Sequence, residues 1–101
     1  LADDLLPERA LAGDPLARAQ LVRDIYRPLL SSGTALVETL SAFLEQAASL
    51  EATARLLFVH PNTVRYRLKR VSEMTGLAPS QSRDRWALGI ALALGRLDRG
   101  A

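Results

Sequence analysis

The aliphatic inventory is the tightest constraint on this chain. Leu (20) and Ala (16) together supply 36 of the 101 residues, whereas Val and Ile supply 7. Leu and Ala are strong helix formers, and the β-branched residues that suit a pleated strand are scarce. No Asn-Gly or Asp-Gly dipeptide offers a hairpin turn. The chain is therefore expected to be all-α, a bundle of five to six helices in one compact unit.

Punctuation divides those helices. A partly apolar lead-in, Leu1 to Leu11, is broken by Pro7 and closes near Gly13. Asp14-Pro15 then supplies an N-cap and a proline suited to a first helical position. Leu16, Leu21, Ile25 and Leu29 follow at helical spacing, and at Pro28 a kink or an end is expected. After Ser31-Ser32-Gly33, Thr34 is placed to cap a helix running to about Ala48, with Leu36, Leu40, Phe43 and Leu44 on one side. Ser49 is placed to cap a short helix over 50–57, and Pro61 to open one that stops at Gly76, over 61–75. The last helix, from about Ser82 to Asp98, carries Trp86, Ile90, Leu94 and Leu97 on one face and Leu88 and Leu92 on another. That apolar surface is wider than one neighbour can cover, so it belongs to the core or to a dimer contact. Trp86 is expected in the core. Residues 1–33 are expected to form a helical lead-in following an upstream region, and 34–101 the helix-turn-helix unit with its closing helix, the two making one compact unit.

Several function classes drop out. There is no cysteine, hence no disulfide framework, thiolate metal site or cysteine nucleophile. His60 is the lone histidine, too few for a histidine-built metal site or a Ser/His/Asp triad. No phosphate-binding loop, dinucleotide fingerprint or zinc-protease motif occurs, and no pair of carboxylates is spaced for acid–base work. An enzyme is the weakest class, and no cofactor or metal is implied. The longest apolar run, Trp86 to Gly95, is about half of what a bilayer span needs. Without an initiator Met, signal peptide or lipidation signal, the chain is expected to be a cytoplasmic fragment of a longer protein.

Charge is asymmetric. Residues 1–50 carry 4 Lys/Arg against 7 Asp/Glu, and residues 51–101 carry 9 against 4. Between Ala52 and Ser72 lie Arg55, Arg65, Arg67, Lys69 and Arg70 with no acid among them. Such a cluster suits a polyanion, and taken alone it suits a solvated helix face equally well.

Spacing separates the two. Leu50 to Val71 has the layout of a helix-turn-helix: a short helix, a three-residue turn and a longer helix. Ala54 is the small residue needed where the helices cross, and Leu57, Val59, Val64, Leu68 and Val71 fill the apolar positions. At about 100° per residue, Val64, Leu68, Val71 and Thr75 form one stripe. Asn62, Arg65, Tyr66, Lys69 and Glu73 lie opposite, with Thr63, Arg67 and Arg70 flanking. The outward face is basic and rich in hydrogen-bonding groups in the turns that enter a major groove. Arg pairs with guanine O6 and N7, Asn with adenine, and Lys with base or phosphate. Free N–H groups near Pro61 to Thr63 would also favour a phosphate. Phe58 sits where such turns usually place glycine, so it either accepts a left-handed conformation or widens the turn.

The string His60-Pro-Asn-Thr-Val-Arg-Tyr-Arg-Leu68, with Thr53 to Phe58 before it and Thr75-Gly76 after it, resembles the C-terminal helix-turn-helix of the PucR/CdaR family of bacterial transcriptional regulators. The unit is similar to the C-terminal DNA-binding unit of the Fis protein. Leu6 to Arg9, Leu11 to Pro15 and Thr39 to Phe43 resemble the segment before the motif, and the run after Arg83 resembles the closing helix. The resemblance implies an output domain behind a sensory or GGDEF-like region, which would hold any effector. Duplex DNA is then the partner, bound as a homodimer through His60, Pro61, Asn62, Thr63, Arg65, Tyr66, Arg67, Lys69 and Arg70. Arg65 and Lys69 are the leading contacts; His60, before a proline, suits capping or a phosphate contact. Arg67, bordering the stripe, suits packing and phosphate contact equally. The competing reading is a helical interaction module using residues 86–97. RNA binding is weaker, because the outward face has one aromatic and no stacking platform.

Overall fold

The computed structural model describes residues 5–98, and among these every regular element is helical. α1 spans Leu6–Leu11, α2 Pro15–Leu21 and α3 Arg27–Ser31, and a π turn, Val22–Tyr26, joins α2 to α3 as one rod. α4 (Thr34–Glu45), α5 (Leu50–Leu57), α6 (Pro61–Thr75) and α7 (Ser82–Asp98) complete the bundle.

Local chemistry explains most boundaries. Asp14 caps α2, accepting from the N–H groups of Leu16 at 2.9 Å and Ala17 at 3.3 Å. Ser49 caps α5, its Oγ accepting from Ala52 N–H at 3.1 Å. α6 stops on Gly76, whose φ of 75° lies in the left-handed region that glycine enters without steric cost.

Four helix boundaries differ from those expected. Pro28 does not end its helix. Before it the hydrogen bonding slips by one residue, so that the Arg27 N–H donates to Val22 O, five residues back, and the widened turn accommodates a residue with no N–H to give. Pro7 likewise opens α1, lying in its first turn. Gly33, not Thr34, is the N-cap residue of α4, with no side-chain cap bond. Finally, α4 ends at Glu45 and not near Ala48, because Ala47 and Ala48 reverse the chain at φ of 53° and 63°.

The core is a single cluster reaching from Leu6 and Leu21 through Ile25, Leu29, Leu40 and Val64 to Leu88. α4 lies at its centre, packed against α3, α5, α6 and α7. Leu40 is wholly buried there, and truncating such a side chain to alanine costs about 2–5 kcal/mol. Of the two apolar faces of α7, the one carrying Leu88 and Leu92 is buried, with Ala87, Ala91 and Gly95, while Ile90 and Leu94 pack half-buried at its edge. Trp86 and Leu97 are exposed, as is Leu16 of α2. The approach to the rod is closest at Gly95, where a Cβ would lie 2.2 Å from Cγ of Tyr26, so no larger residue fits there. Trp86 instead receives the Arg83 guanidinium over its ring, 5.1 Å from the centroid.

Candidate nucleic-acid interface

α5 and α6 meet as the spacing predicts. Ala54, 2% exposed, is the buried residue on α5, together with Thr53, whose hydroxyl donates to Ser49 O at 2.7 Å. The connection is tight because Phe58 accepts the left-handed conformation, φ 57° and ψ 43°. Val59 N–H can then reach back to Ala54 O at 3.0 Å. The Phe58 ring is 94% exposed and packs against nothing, so its conformation is not compensated by burial.

Val64, Leu68 and Val71 bury α6 against the bundle. Asn62, Arg65, Tyr66, Lys69 and Glu73 are exposed, Tyr66 at 63%. Fifteen residues make a rod of about 22 Å, anchored along one side and open along the other. Neither Arg65, Tyr66 nor Lys69 is covered by another part of the described chain.

The remaining flanking residues are tied to the fold. His60 is the N-cap residue of α6, with Nδ1 accepting from Asn62 N–H at 2.9 Å. In a neutral ring the proton therefore sits on Nε2. Thr63 N–H donates to His60 O at 2.9 Å, and Pro61 has no N–H to offer. The free N–H groups expected between Pro61 and Thr63 are thus already used, and an anion would meet the helix dipole there but no open amide cradle. Arg65 donates to the Asn62 side chain, Oδ1, which orients both groups along the outer face.

Arg67 behaves differently from Arg65. Its Nη1 donates to Thr39 Oγ1 at 3.2 Å, and Thr39 is wholly buried on α4. The guanidinium thus links α6 to the centre of the bundle. Arg70 pairs with Glu73 one turn on, at 3.0 Å, a half-exposed contact of small energetic weight. The sequence did not single out Thr39 as a partner for α6. Its place beside Leu40 in the buried stripe of α4 marks it as inward-facing, but the arginine that reaches it lies 28 residues away. No group of three or more metal-ligating side chains occurs among the described residues.

Comparison with known proteins agrees with this geometry. The PucR C-terminal helix-turn-helix domain family matches residues 36–94. The chain is 53% identical over 98 residues to an uncharacterized protein of Mycobacterium tuberculosis (strain ATCC 25618 / H37Rv), covering 97% of this chain and 24% of that protein. It is 38% identical over 86 residues to the carbohydrate diacid regulator of Escherichia coli (strain K12), covering 84% of this chain and 22% of the regulator. It thus spans about a quarter of the length of these relatives. The crystal structure of a regulator of polyketide synthase expression from Bifidobacterium adolescentis superposes with a TM-score of 0.88 at 49% identity, over 94% of this chain and 38% of the other. With the motif, the fold and these likenesses in accord, the chain belongs to the PucR C-terminal helix-turn-helix domain family of transcriptional regulators.

Proposed function

We propose that this domain binds duplex DNA sequence-specifically, as the output unit of a bacterial transcriptional regulator, with α6 lying in the major groove. The observation that carries this reading is the division of α6: Val64, Leu68 and Val71 are buried, while Arg65, Tyr66 and Lys69 stand exposed together. In this reading Arg65 and Asn62 meet base edges, and Lys69 and Tyr66 meet bases or phosphates. Thr63 and the Nε2 side of His60 approach the backbone at the start of the helix. Pro61 fixes the entry of α6, Arg67 holds the helix against Thr39, and Arg70 adds charge at the edge of the contact. No catalytic step is proposed for the domain.

Homodimer binding is part of the proposal, since one recognition helix gives limited affinity and paired half-sites are the usual remedy. Leu97, 70% exposed where the end of α7 meets Pro15 and Ala19 of α2, supports a self-contact on that side. Residues 1–33 would lead in from an upstream region that holds any effector, and the protein would act in the cytoplasm.

Selection from a pool of random duplexes, followed by sedimentation of the bound complex, tests this reading. The expected result is enrichment of one inverted repeat with two copies of the chain bound. Recovery of unenriched sequence at every salt concentration would overturn specific recognition.

A further inference from the structure

A groove of about 330 Å³ runs beside the outward face of α6, at the lower end of the volumes small ligands occupy. Phe43, Leu50, Leu68 and Pro79 supply hydrocarbon walls, and Arg65 and Lys69 also line it. Both sides are fixed. The Pro79 turn is tied to α7, with Ala78 N–H donating to Asp84 Oδ2 at 2.9 Å and Arg85 Nη1 donating to Pro79 O at 2.9 Å. At the opposite corner Ala48 N–H returns to Phe43 O at 2.9 Å.

A sugar-phosphate backbone needs donors along its length, and this lining is largely apolar away from the two cations. The complementary ligand has one anionic head and a compact apolar body. We propose that the groove binds an organic monocarboxylate with a short hydrocarbon or aryl body, its head held at the rim by Lys69 and by the Arg65 nitrogens not given to Asn62. Because those cations also belong to the proposed DNA face, the bound acid competes with DNA. The binding step stands by itself, and the competition rests on the DNA-binding reading above.

Sodium octanoate is the probe, titrated into the isotope-labelled chain while amide resonances are followed, with octan-1-ol and sodium acetate as controls. The expected result is saturable shifts around residues 43, 50 and 65–80. Octanoate should bind about tenfold or more tightly than either control, since it alone joins an apolar body to a charge-assisted contact. Lys69→Ala should weaken it severalfold. Ser72→Phe, which fills the groove from α6, should abolish binding while the melting curve shows a folded domain. Should that variant not fold, Ser80→Trp fills the groove from the turn. In a second arm, octanoate should weaken duplex binding by the wild-type chain and leave Ser72→Phe unaffected. Absence of saturable shifts, equal binding of octanol, or insensitivity to both groove-filling variants would overturn the site. If octanoate binds as described but the chain retains no duplex, the DNA-binding reading and the competition fail together, and the acid site stands.

Discussion

Replacing Arg67 with methionine separates a residue that positions α6 from one that touches DNA. Methionine keeps most of the apolar stem and removes the guanidinium that donates to Thr39 at 3.2 Å. A hydrogen bond to a charged donor contributes about 1.5–3 kcal/mol, and partial exposure of Arg67 discounts this to about 1–2 kcal/mol. A domain of this size shifts by about 4–8 °C per kcal/mol, so the melting temperature should fall by roughly 4–16 °C. Removing a phosphate contact instead lowers the slope of log affinity against log salt by about 0.9. Melting by circular dichroism and duplex anisotropy at several salt concentrations read the two effects independently. Arg67→Met should lower stability and move the binding line down parallel to itself, whereas Lys69→Ala should flatten it. Thr39→Val combined with Arg67→Met should be less than additive, because both remove one bond. An unchanged melting temperature with a slope reduced by about one unit would refute the reasoning and return Arg67 to the DNA contacts.

Three further outcomes follow from local geometry. Gly95→Ala puts a methyl group 2.2 Å from the Tyr26 ring, so denaturant melts should show a loss of about 1–3 kcal/mol; an unchanged midpoint would mean that the two helices separate freely. Phe58→Gly removes a left-handed strain of about 1–2 kcal/mol from a 94% exposed side chain. After glycine's own backbone entropy, the gain should be about 0.5–1 kcal/mol, visible as a higher melting temperature. Glu8 receives two hydrogen bonds from Arg83, at 2.6 and 2.9 Å, and that donation holds its carboxyl below the usual value. A depressed folded-state value means that the contribution is complete above the unfolded carboxyl's pKa of about 4.3, and is lost as pH falls through the lower folded value. Glu8→Gln should therefore flatten the acid limb of the stability profile; an identical limb would show that the α1–α7 ion pair is energetically silent.

Much of this was legible because the decisive groups are local. Asp14, Ser49 and Gly76 announce their helix ends through their own backbone chemistry, and the 61–75 helix shows its inner and outer faces by periodicity alone. What escaped depends on distant partners. Which of the two apolar faces of α7 turns inward is decided by the helices it meets, as at Gly95, where the Tyr26 ring leaves no room for a side chain; Trp86 and Leu97 stay exposed. The π turn before Pro28 trades one helical register for another, and a proline-based rule cannot anticipate it. Likewise, nothing local to Arg67 tells that a buried hydroxyl on α4 will receive it. The used amides at the start of α6 follow from His60 folding back as a cap, one of the two roles its place before a proline allowed.

Duplex binding by an Arg65→Ala, Lys69→Ala double variant bears hardest on the proposed role of α6. Measured by anisotropy on a selected duplex, with the wild-type chain alongside, affinity should fall by about 2–6 kcal/mol, thirtyfold or more, and the salt slope should become shallower. Both side chains are exposed, so the melting temperature should stay within a few degrees of wild type. Equal affinity and an equal slope in a folded double variant would contradict the assignment of α6 to the major groove.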